Sequence, residues 1–306
     1  MRSVVPIGWI LLIVVGCGAA HTDARSETRA ACDGICSSSP PPLTPCPDEM
    51  VLVAGRFCID RYEAAMVDQH TGQTFSPFYP PALDEMRKAV KGQPWGPAAI
   101  GREQLRPPVP LLPEWQRSPD ARARAVSRKG VVPQGYLSKL TAKAACEAAG
   151  KRLCKLAEWK VACRGENDTP FPYGPKYRDR ACNVRQPQHA AAILWGDASL
   201  GHWDPRLNQL PVDGAPLLKA TGEVSTCRSA WGSDGVYDMV GNLDEWVEDD
   251  AAKSPTGDAN AKSTFVGGFY ARDTVRGCDA RVSKHEAVFF DFSTGVRCCS
   301  DVRSPE

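Results

Sequence analysis

Acidic side chains crowd into one short stretch of the chain, Gly235–Asp249, which reads GVYDMVGNLDEWVED. Carboxylates repel one another, so such a cluster lies either in water or around a cation, and calcium takes several hard oxygen ligands. A bend at Gly241 would turn backbone carbonyls and the side chains of Asp238 and Glu245 toward one point. The alternative is a solvated acidic turn with Trp246 packed beneath it.

The cysteines are the second group with chemical potential. There are 13, and setting Cys17 aside leaves an even number, which in an exported chain favours disulfides. Metal binding is the alternative, but the 5 histidines are scattered and no C-x-x-C pair recurs at zinc-ribbon spacing. Cys46 and Cys58 flank a short stretch with strand character and could close a hairpin. Cys32 and Cys36 are assigned to a further bond.

The N-terminus predicts export. Arg2 precedes an apolar run from Val4 to Val15, which has the length of a signal-peptide core and is short for a membrane span. The run ends at Gly16-Cys17 and resembles a bacterial lipobox, so we expect a signal peptide over residues 1–16 and lipid attachment at Cys17. An ordinary secretory signal is the alternative. The residue after Cys17 is Gly18 and not Asp. In Gram-negative lipoproteins this pattern is typical of an outer-membrane destination, which we therefore expect here.

Composition limits the classes of partner and fold. The net charge of +1 gives no global field for nucleic acid, and 26 Gly with 26 Pro favour a loop-rich fold. Residues 17–46 are polar and rich in Ser and Pro, so we expect a stiff tether. Residues 66–135 give little periodic signal, and we expect a long, partly ordered surface insertion whose basic stretch at 121–130 is a solvated face.

Two short helices are predicted where the pattern changes at residues 138–164. Ser138 or Thr141 can cap the first helix, which runs through Ala142 and Ala145 and ends at Gly150. The second helix places Trp159 inside. Helices joined at a glycine, each carrying a cysteine, indicate scaffold rather than a catalytic motif.

The segment LTAKAACEAAGKRLCKLAEWKVACRG at 140–165 resembles the helical signature of the formylglycine-generating, or sulfatase-modifying factor, family. FPYG at 171–174, the acidic stretch at 235–249, GGFY at 267–270 and GVRC at 295–298 match further family motifs in order. The chain resembles a divergent bacterial lipoprotein member, with the family domain at 47–303. The resemblance implies a loop-rich α+β fold of the C-type-lectin kind, stapled by disulfides.

The resemblance also implies a disulfide map. It pairs Cys146 with Cys298 and Cys163 with Cys278. The remaining cysteines are expected to pair as Cys154–Cys182 and Cys227–Cys299.

A structural calcium ion is the cofactor that the resemblance implies. Carried over position by position, the ligands of one site are Asp238, the carbonyls of Gly241 and Leu243, and Glu245. A second site would begin at Asn183 and Val184. The further candidates for that site are Asp197 and Asp204.

Copper chemistry is where the sequence departs from the family enzymes, which oxidise a substrate cysteine to formylglycine with copper(I) held by two cysteines. Paired thiolates are the ligands that Cu(I) prefers. The two thiolate positions fall near Arg272 and Gly277, and Cys278 matches a structural cysteine instead. We therefore expect no copper.

Two functions remain open. The first is a lipid-anchored binding or structural module of the cell envelope, with a peptide, protein or glycan ligand and no nucleic acid. Its expected cleft is lined by the residues that border the family's active site: Trp246, Phe269, Tyr270, Arg272 and Arg276. The alternative function is an enzyme of the family, either by cysteine oxidation or with its chemistry moved to other residues.

Overall fold

Short strands and short helices joined by long loops make up the fold. The computed structural model describes residues 45–91, 107–249, 259–272 and 274–303, so Cys17, Cys32 and Cys36 lie outside the described residues. The helices are α1 (Leu83–Lys91), α2 (Lys139–Ala148), α3 (Leu156–Arg164) and α4 (Ala190–Trp195). No helix within the described ranges has the length and apolarity to cross a membrane. The expected α+β class with heavy loop content is confirmed.

The strands are short, none longer than six residues. They are β1 (Met50–Val53), β2 (Phe57–Asp60), β3 (Ala64–Asp68), β4 (Ala123–Ser127), β5 (Arg152–Leu153), β6 (Pro211–Val212), β7 (Ala215–Pro216), β8 (Arg228–Trp231), β9 (Asp234–Tyr237), β10 (Asp244–Val247), β11 (Lys262–Val266), β12 (Arg281–Glu286), β13 (Thr294–Gly295) and β14 (Cys298–Asp301). Two sheets have four strands, in the orders β1-β2-β14-β5 and β12-β11-β10-β13. All pairings are antiparallel except β10 with β13.

Helices α2 and α3 form where the sequence predicts them. The Ser138 hydroxyl accepts a hydrogen bond from the Thr141 backbone N–H at 3.1 Å, which caps α2, and Gly150 follows its end with φ +68°. Helix α3 buries Trp159 completely. The capping residue and the terminal glycine together fix where each helix begins and ends.

The acidic stretch runs through the middle of the molecule. Met239 and Val240 pack in one hydrophobic cluster with Trp159, Leu243 in a second with Tyr270 and Phe292, and Trp246 in a third with Phe265. Because three clusters meet along these few residues, their backbone is fixed from several sides.

Five disulfides join the described cysteines. Cys46–Cys58, Cys146–Cys298 and Cys163–Cys278 are present as expected. The expected pairs Cys154–Cys182 and Cys227–Cys299 are wrong, because Cys154 bonds Cys299 and Cys182 bonds Cys227. Neighbouring residues of a strand face opposite sides, so Cys298 and Cys299 on β14 reach different partners. Strand β5 pairs with β14 and brings Cys154 beside Cys299.

The segment 66–135 is not simply a surface insertion. Strand β3 pairs with β4 along its whole length, and Met66, Phe75 and Ala125 are buried in the core. The basic stretch at 121–130 includes β4, whose last three residues are buried. The strand was not predicted because the charged Arg and Lys residues of this stretch indicate a solvated face. Its buried residues, Ala125 to Ser127, have small or medium-sized side chains.

Candidate functional site

The carboxylates of the acidic stretch are mostly buried. Asp238, Asp244 and Glu245 are 4%, 0% and 1% exposed, whereas Glu248 and Asp249 are half-buried. The alternative of a solvated turn therefore does not describe the first three. Buried carboxylates require a counter-charge, hydrogen bonds or a proton.

Arg297 supplies one counter-charge to this cluster. Its Nε lies 3.0 and 2.8 Å from the two carboxylate oxygens of Glu245, and its Nη2 lies 2.8 Å from Oε1. The indole N–H of Trp159 donates to Glu245 Oε2 at 2.6 Å. Arg297 also donates to the carbonyls of Asp60 and Tyr237, at 3.1 and 2.8 Å. The guanidinium thus ties together β2, β9 and β10 at the centre of the fold.

Glu63 is a further buried carboxylate of the cluster, and it binds the acidic loop directly. It accepts from the Asn242 side-chain amide at 2.5 Å and from the Leu243 backbone N–H at 3.0 Å. Burial raises the pKa of Glu63 well above its usual range, and the negative charges of Asp238 and Glu245 raise it further. The loop conformation therefore depends on a residue far away in sequence.

Asp238 completes the cluster. It has φ +61°, and its Oδ2 accepts from the Gly222 backbone N–H at 2.6 Å. Burial raises its pKa to about 7, and the charge of Glu245 adds to the rise. With Glu63 and Glu245, three carboxylates share the single guanidinium of Arg297, so the cluster has an excess of hard oxygen donors.

The side-chain oxygens of this cluster are too few to bind calcium by themselves, so backbone carbonyls would have to complete the ligand set. Within the described ranges, no three His, Cys, Asp or Glu side chains converge in a geometry that could hold a metal ion. Both Glu245 oxygens already receive hydrogen bonds, and Asp238 has one oxygen engaged by Gly222. The expected ligand set of two carboxylates with the Gly241 and Leu243 carbonyls belongs to the oxygen-only type that calcium accepts.

Asn183 and Val184 lie against the same loop. The Asn242 backbone N–H donates to the Asn183 carbonyl at 2.9 Å, and a Cβ on Gly241, which has φ +84°, would clash with that carbonyl. Asp197 and Asp204 have other partners: Asp197 accepts from Ser199, and the buried Asp204 pairs with Arg206 at 2.6 Å. The structure thus joins Asn183 and Val184 to the acidic loop and places the two aspartates in separate hydrogen-bond groups.

Arg272 is one of the two residues expected at the copper-ligand positions. Its Nη1 lies 2.9 Å from Oδ1 of the fully buried Asp244, and its guanidinium stacks over Phe265 and Phe269 at 5.7 and 5.2 Å from the ring centroids. Burial raises the pKa of Asp244 to about 7, against the attraction of Arg272. A cation of the protein itself therefore occupies this region.

The expected cleft does not form from its aromatic members. Trp246 and Tyr270 are 0% exposed and Phe269 is 6% exposed, because they pack in the core and offer no open face to a ligand. Arg272 pairs inward with Asp244. Arg276 is exposed and lines a pocket of about 400 Å³ with Lys160, Asp279 and Arg281.

Every cysteine of the described ranges is in a disulfide. Cys278, the thiol nearest in sequence to the two expected copper positions, bonds Cys163 of α3. Gly277, the residue expected at the second of these positions, lies against the Pro170 carbonyl. The described residues therefore offer Cu(I) no thiolate in this state.

Sequence reasoning missed two residues of the buried cluster, Glu63 and Arg297. Arg297 lies in the GVRC motif, where a lone charge between apolar residues and cysteines indicates a buried partner. Glu63 ends the CIDRYE segment at a strand boundary, and nothing local separates it from a surface residue.

Comparison with known proteins identifies similar chains. The model of the sulfatase-modifying factor enzyme 1-like domain matches residues 40–302. The chain is 29% identical to formylglycine-generating enzyme of Mus musculus over 136 residues, which are 44% of this chain and 31% of that protein. It is 28% identical to formylglycine-generating enzyme of Bos taurus over 168 residues, which are 54% and 36%. The chain thus spans about a third of the length of these relatives.

Solved structures also resemble the chain at low similarity. The crystal structure of CarF has 17% identity and a TM-score of 0.36, with 81% of this chain and 87% of that chain covered. PvdO from Pseudomonas aeruginosa has 16% identity and a TM-score of 0.37, with 80% of each chain covered.

Proposed function

This chain belongs to the sulfatase-modifying factor enzyme 1-like family, and we propose that it is an exported, lipid-anchored binding module that lacks copper oxidase chemistry. The observation that carries the proposal is the pair of residues at the copper positions. Arg272 places a guanidinium there and Gly277 has no side chain, so neither can ligate Cu(I), which prefers paired thiolates. A fold can be retained while its site changes function.

The disulfides support the same proposal. Cys278 is bonded to Cys163, and the other described cysteines are also bonded. Reducing one disulfide would still leave Arg272 paired with Asp244 in the region where a metal ion would have to lie. The positive charge would repel copper(I) at short range.

Turnover tests the proposal directly. The purified mature chain is incubated with Cu(I), oxygen and a sulfatase-type cysteine peptide, and formylglycine is measured by mass spectrometry. We expect no product above a copper-only control. Formylglycine formed in proportion to the protein concentration would overturn the proposal.

An enzyme with relocated chemistry is the second candidate, and one polar cluster favours it. His189 and His202 have ring centroids 6.0 Å apart, and His202 Nδ1 lies 3.8 Å from Asp291 Oδ2. Burial lowers the pKa of His189, and His202 lowers it further. Perturbed titratable groups in proximity are candidates for acid–base work. Conversion of the peptide to any product, other than by oxidation, that persists after copper chelation and is lost in His202→Ala would favour this candidate.

We also propose a structural calcium ion at the acidic loop. Asp238, Glu245 and the carbonyls of Gly241 and Leu243 would hold it, and the excess of carboxylate over guanidinium in the cluster supports a cation there. Calcium that binds only the folded chain would raise the melting temperature as its concentration increases. We expect this rise in the wild type but not in Asp238→Asn, with the exposed Asp234→Asn as the matched control. Equal response of all three proteins would refute the site.

The lipid anchor and the envelope location are proposed from the N-terminal sequence alone. In a bacterial host that processes lipoproteins, the wild type should partition into detergent and Cys17→Ser should not. Equal partitioning of both would refute the anchor. The ligand is expected to be a peptide, protein or glycan rather than nucleic acid, because the net charge is only +1.

A further inference from the structure

A basic pocket lies between helix α3 and the loop that leads into β12. Its volume is about 400 Å³, and Lys160, Arg276, Asp279 and Arg281 line it. Arg164 reaches the same carboxylate as Lys160 from the next turn of α3. Arg164 is also paired with Asp168 at 3.1 Å, so the cations that line the pocket itself are Lys160, Arg276 and Arg281.

Asp279 does not neutralise this group. Its carboxylate accepts from Lys160 Nζ at 3.0 Å and from Arg164 Nη2 at 2.8 Å. The hydrogen bond and charge of Lys160, with the charge of Arg164, lower the pKa of Asp279, so it stays ionised. The lining carries three positive charges against the one negative charge of Asp279, so the pocket has a net charge of about +2 at neutral pH.

The two remaining arginines are available to a ligand. Arg276 and Arg281 are exposed, and within the described ranges their guanidinium groups make no ion pair or hydrogen bond. A guanidinium presents a planar set of N–H donors that match the oxygens of phosphate and sulfate. Two such groups on one pocket can contact the same anion from different sides.

The backbone that holds these arginines is fixed. Cys278, between them in sequence, is bonded to Cys163 of α3, and its N–H donates to the Pro170 carbonyl at 2.9 Å. Gly277 lies directly against Pro170 and Phe171. Because the scaffold is already ordered, a ligand would lose less binding energy to ordering the loop.

We propose that this pocket binds a tetrahedral oxyanion group, a phosphate or a sulfate carried by the ligand. The inference rests on the proposed binding function and specifies the ligand chemistry at one place on the surface. The contacts are the guanidinium groups of Arg276 and Arg281, with Lys160 adding charge. A carboxylate offers two oxygens in a plane and would engage this arrangement less completely.

Anion titration tests the proposal. Inorganic phosphate, sulfate and acetate are titrated into the purified mature chain at constant ionic strength kept with chloride, and arginine side-chain N–H signals are followed by NMR. We expect saturable shifts with phosphate or sulfate. Arg276→Ala and Arg281→Ala should each weaken binding by about tenfold, and Arg117→Ala, an exposed arginine outside the pocket, should not change it. Asp279→Asn should tighten binding by removing a like charge.

The outcomes separate the possibilities. A stronger response to phosphate identifies a phosphate-bearing ligand, and a stronger response to sulfate identifies a sulfate-bearing one. The proposal is overturned if acetate binds equally well, if shifts follow only ionic strength, or if either arginine variant binds as the wild type does. Thermal unfolding of each variant checks that the fold is intact. A negative result here leaves the copper test unaffected, since that assay measures turnover rather than anion binding.

Discussion

At the scale of single residues, the proposed absence of copper chemistry depends on Arg272. The side chain pairs with the buried Asp244, and Asp244 Oδ2 accepts no hydrogen bond from any residue that the structure describes. Arg272 and the backbone N–H of Gly268 are therefore the groups that stabilise the ionised form of Asp244. A buried carboxylate that loses its partner destabilises the folded state, and its pKa rises until it binds a proton.

A double-mutant cycle measures this dependence. Arg272→Met should lower the free energy of unfolding by about 2 kcal/mol at pH 7, a value reduced from that of fully buried pairs because Arg272 is part-exposed. Asp244→Asn should cost about 1 kcal/mol, and the double mutant should cost less than the sum by at least about 1 kcal/mol. Urea unfolding gives all three values.

The control for this cycle is the surface pair Arg61–Asp234, whose side chains are 22% and 51% exposed. Its coupling should stay below about 1 kcal/mol. Additive effects of the Arg272 and Asp244 mutations would contradict the assigned role of Arg272.

The sequence predicts which residue types stand at the expected copper positions, but not what these residues contact. The motif GGFY places Arg272, yet its partner Asp244 is distant in sequence and is one of several acids. Trp246 and Tyr270 were expected to line a cleft but are buried. Their positions in the motifs indicate which residues lie near a site, but not how deeply these residues are buried. Burial is a property of the assembled core.

At the scale of elements, the β3–β4 pair depends on Asp68. Its carboxylate accepts from the backbone N–H groups of Arg122, Thr71 and His70, at 2.9, 2.8 and 3.2 Å, so one side chain holds both strand ends. These hydrogen bonds, led by that from Arg122, lower the pKa of Asp68 to about 2. At the end of the β3–β4 pair, hydrogen bonds to the Asp68 side chain take the place of backbone hydrogen bonds between the strands.

The pH dependence of stability follows from that shift. The folded-state pKa of about 2 lies below the ordinary value of 3.8, so the folded state favours the ionised form. The contribution of Asp68 is complete above the ordinary value and is lost as the pH falls from about 4 towards 2. Asp68→Asn should destabilise the chain by about 1–3 kcal/mol at neutral pH and flatten this acid-side loss.

Unfolding curves between pH 2 and pH 7 check the prediction for Asp68. The exposed Asp84→Asn in α1 is the matched control and should reproduce the wild-type pH profile. An Asp68→Asn profile parallel to that of the wild type would show that Asp68 does not hold the strand ends by its charge.

The two strands themselves were hidden in the sequence. The helices α2 and α3 carry caps, a terminal glycine and a clear spacing of apolar residues, so local signals suffice. Strand β3 and strand β4 lie more than fifty residues apart, and their pairing depends on contacts that no local pattern encodes. The same reason explains the disulfide error, because the faces of β14 decide which cysteine reaches Cys154.

At the scale of the whole molecule, disulfides join distant parts of the chain around three hydrophobic clusters. The loop closed by Cys146–Cys298 has a sequence separation of 152, and that closed by Cys46–Cys58 has a separation of 12. Closing a longer loop removes more freedom from the unfolded chain. Cys146–Cys298 and Cys154–Cys299 close nearly the same loop, however, so either bond alone restricts the unfolded chain almost as much as both together.

Removing each bond tests this expectation. With Cys154–Cys299 intact, Cys146–Cys298 closes a path of only about ten residues, so its double Cys→Ser variant should lose about 3 kcal/mol, as should that at Cys46 and Cys58. Equilibrium unfolding without reductant gives both values, and peptide mapping should recover Cys154 joined to Cys299. A much larger loss at Cys146–Cys298 than at Cys46–Cys58 would contradict the chain-entropy argument.

We propose that the family scaffold persists here without a thiolate pair for copper. Cu(I) competition against a chromophoric chelator tests this proposal, with the full mature chain and with Cys32→Ser/Cys36→Ser to exclude binding by those two cysteines. We expect no Cu(I) bound to the double variant at chelator concentrations that leave a bis-thiolate site loaded. One equivalent of tightly bound Cu(I), lost when Cys278 is replaced by Ser, would contradict the proposal.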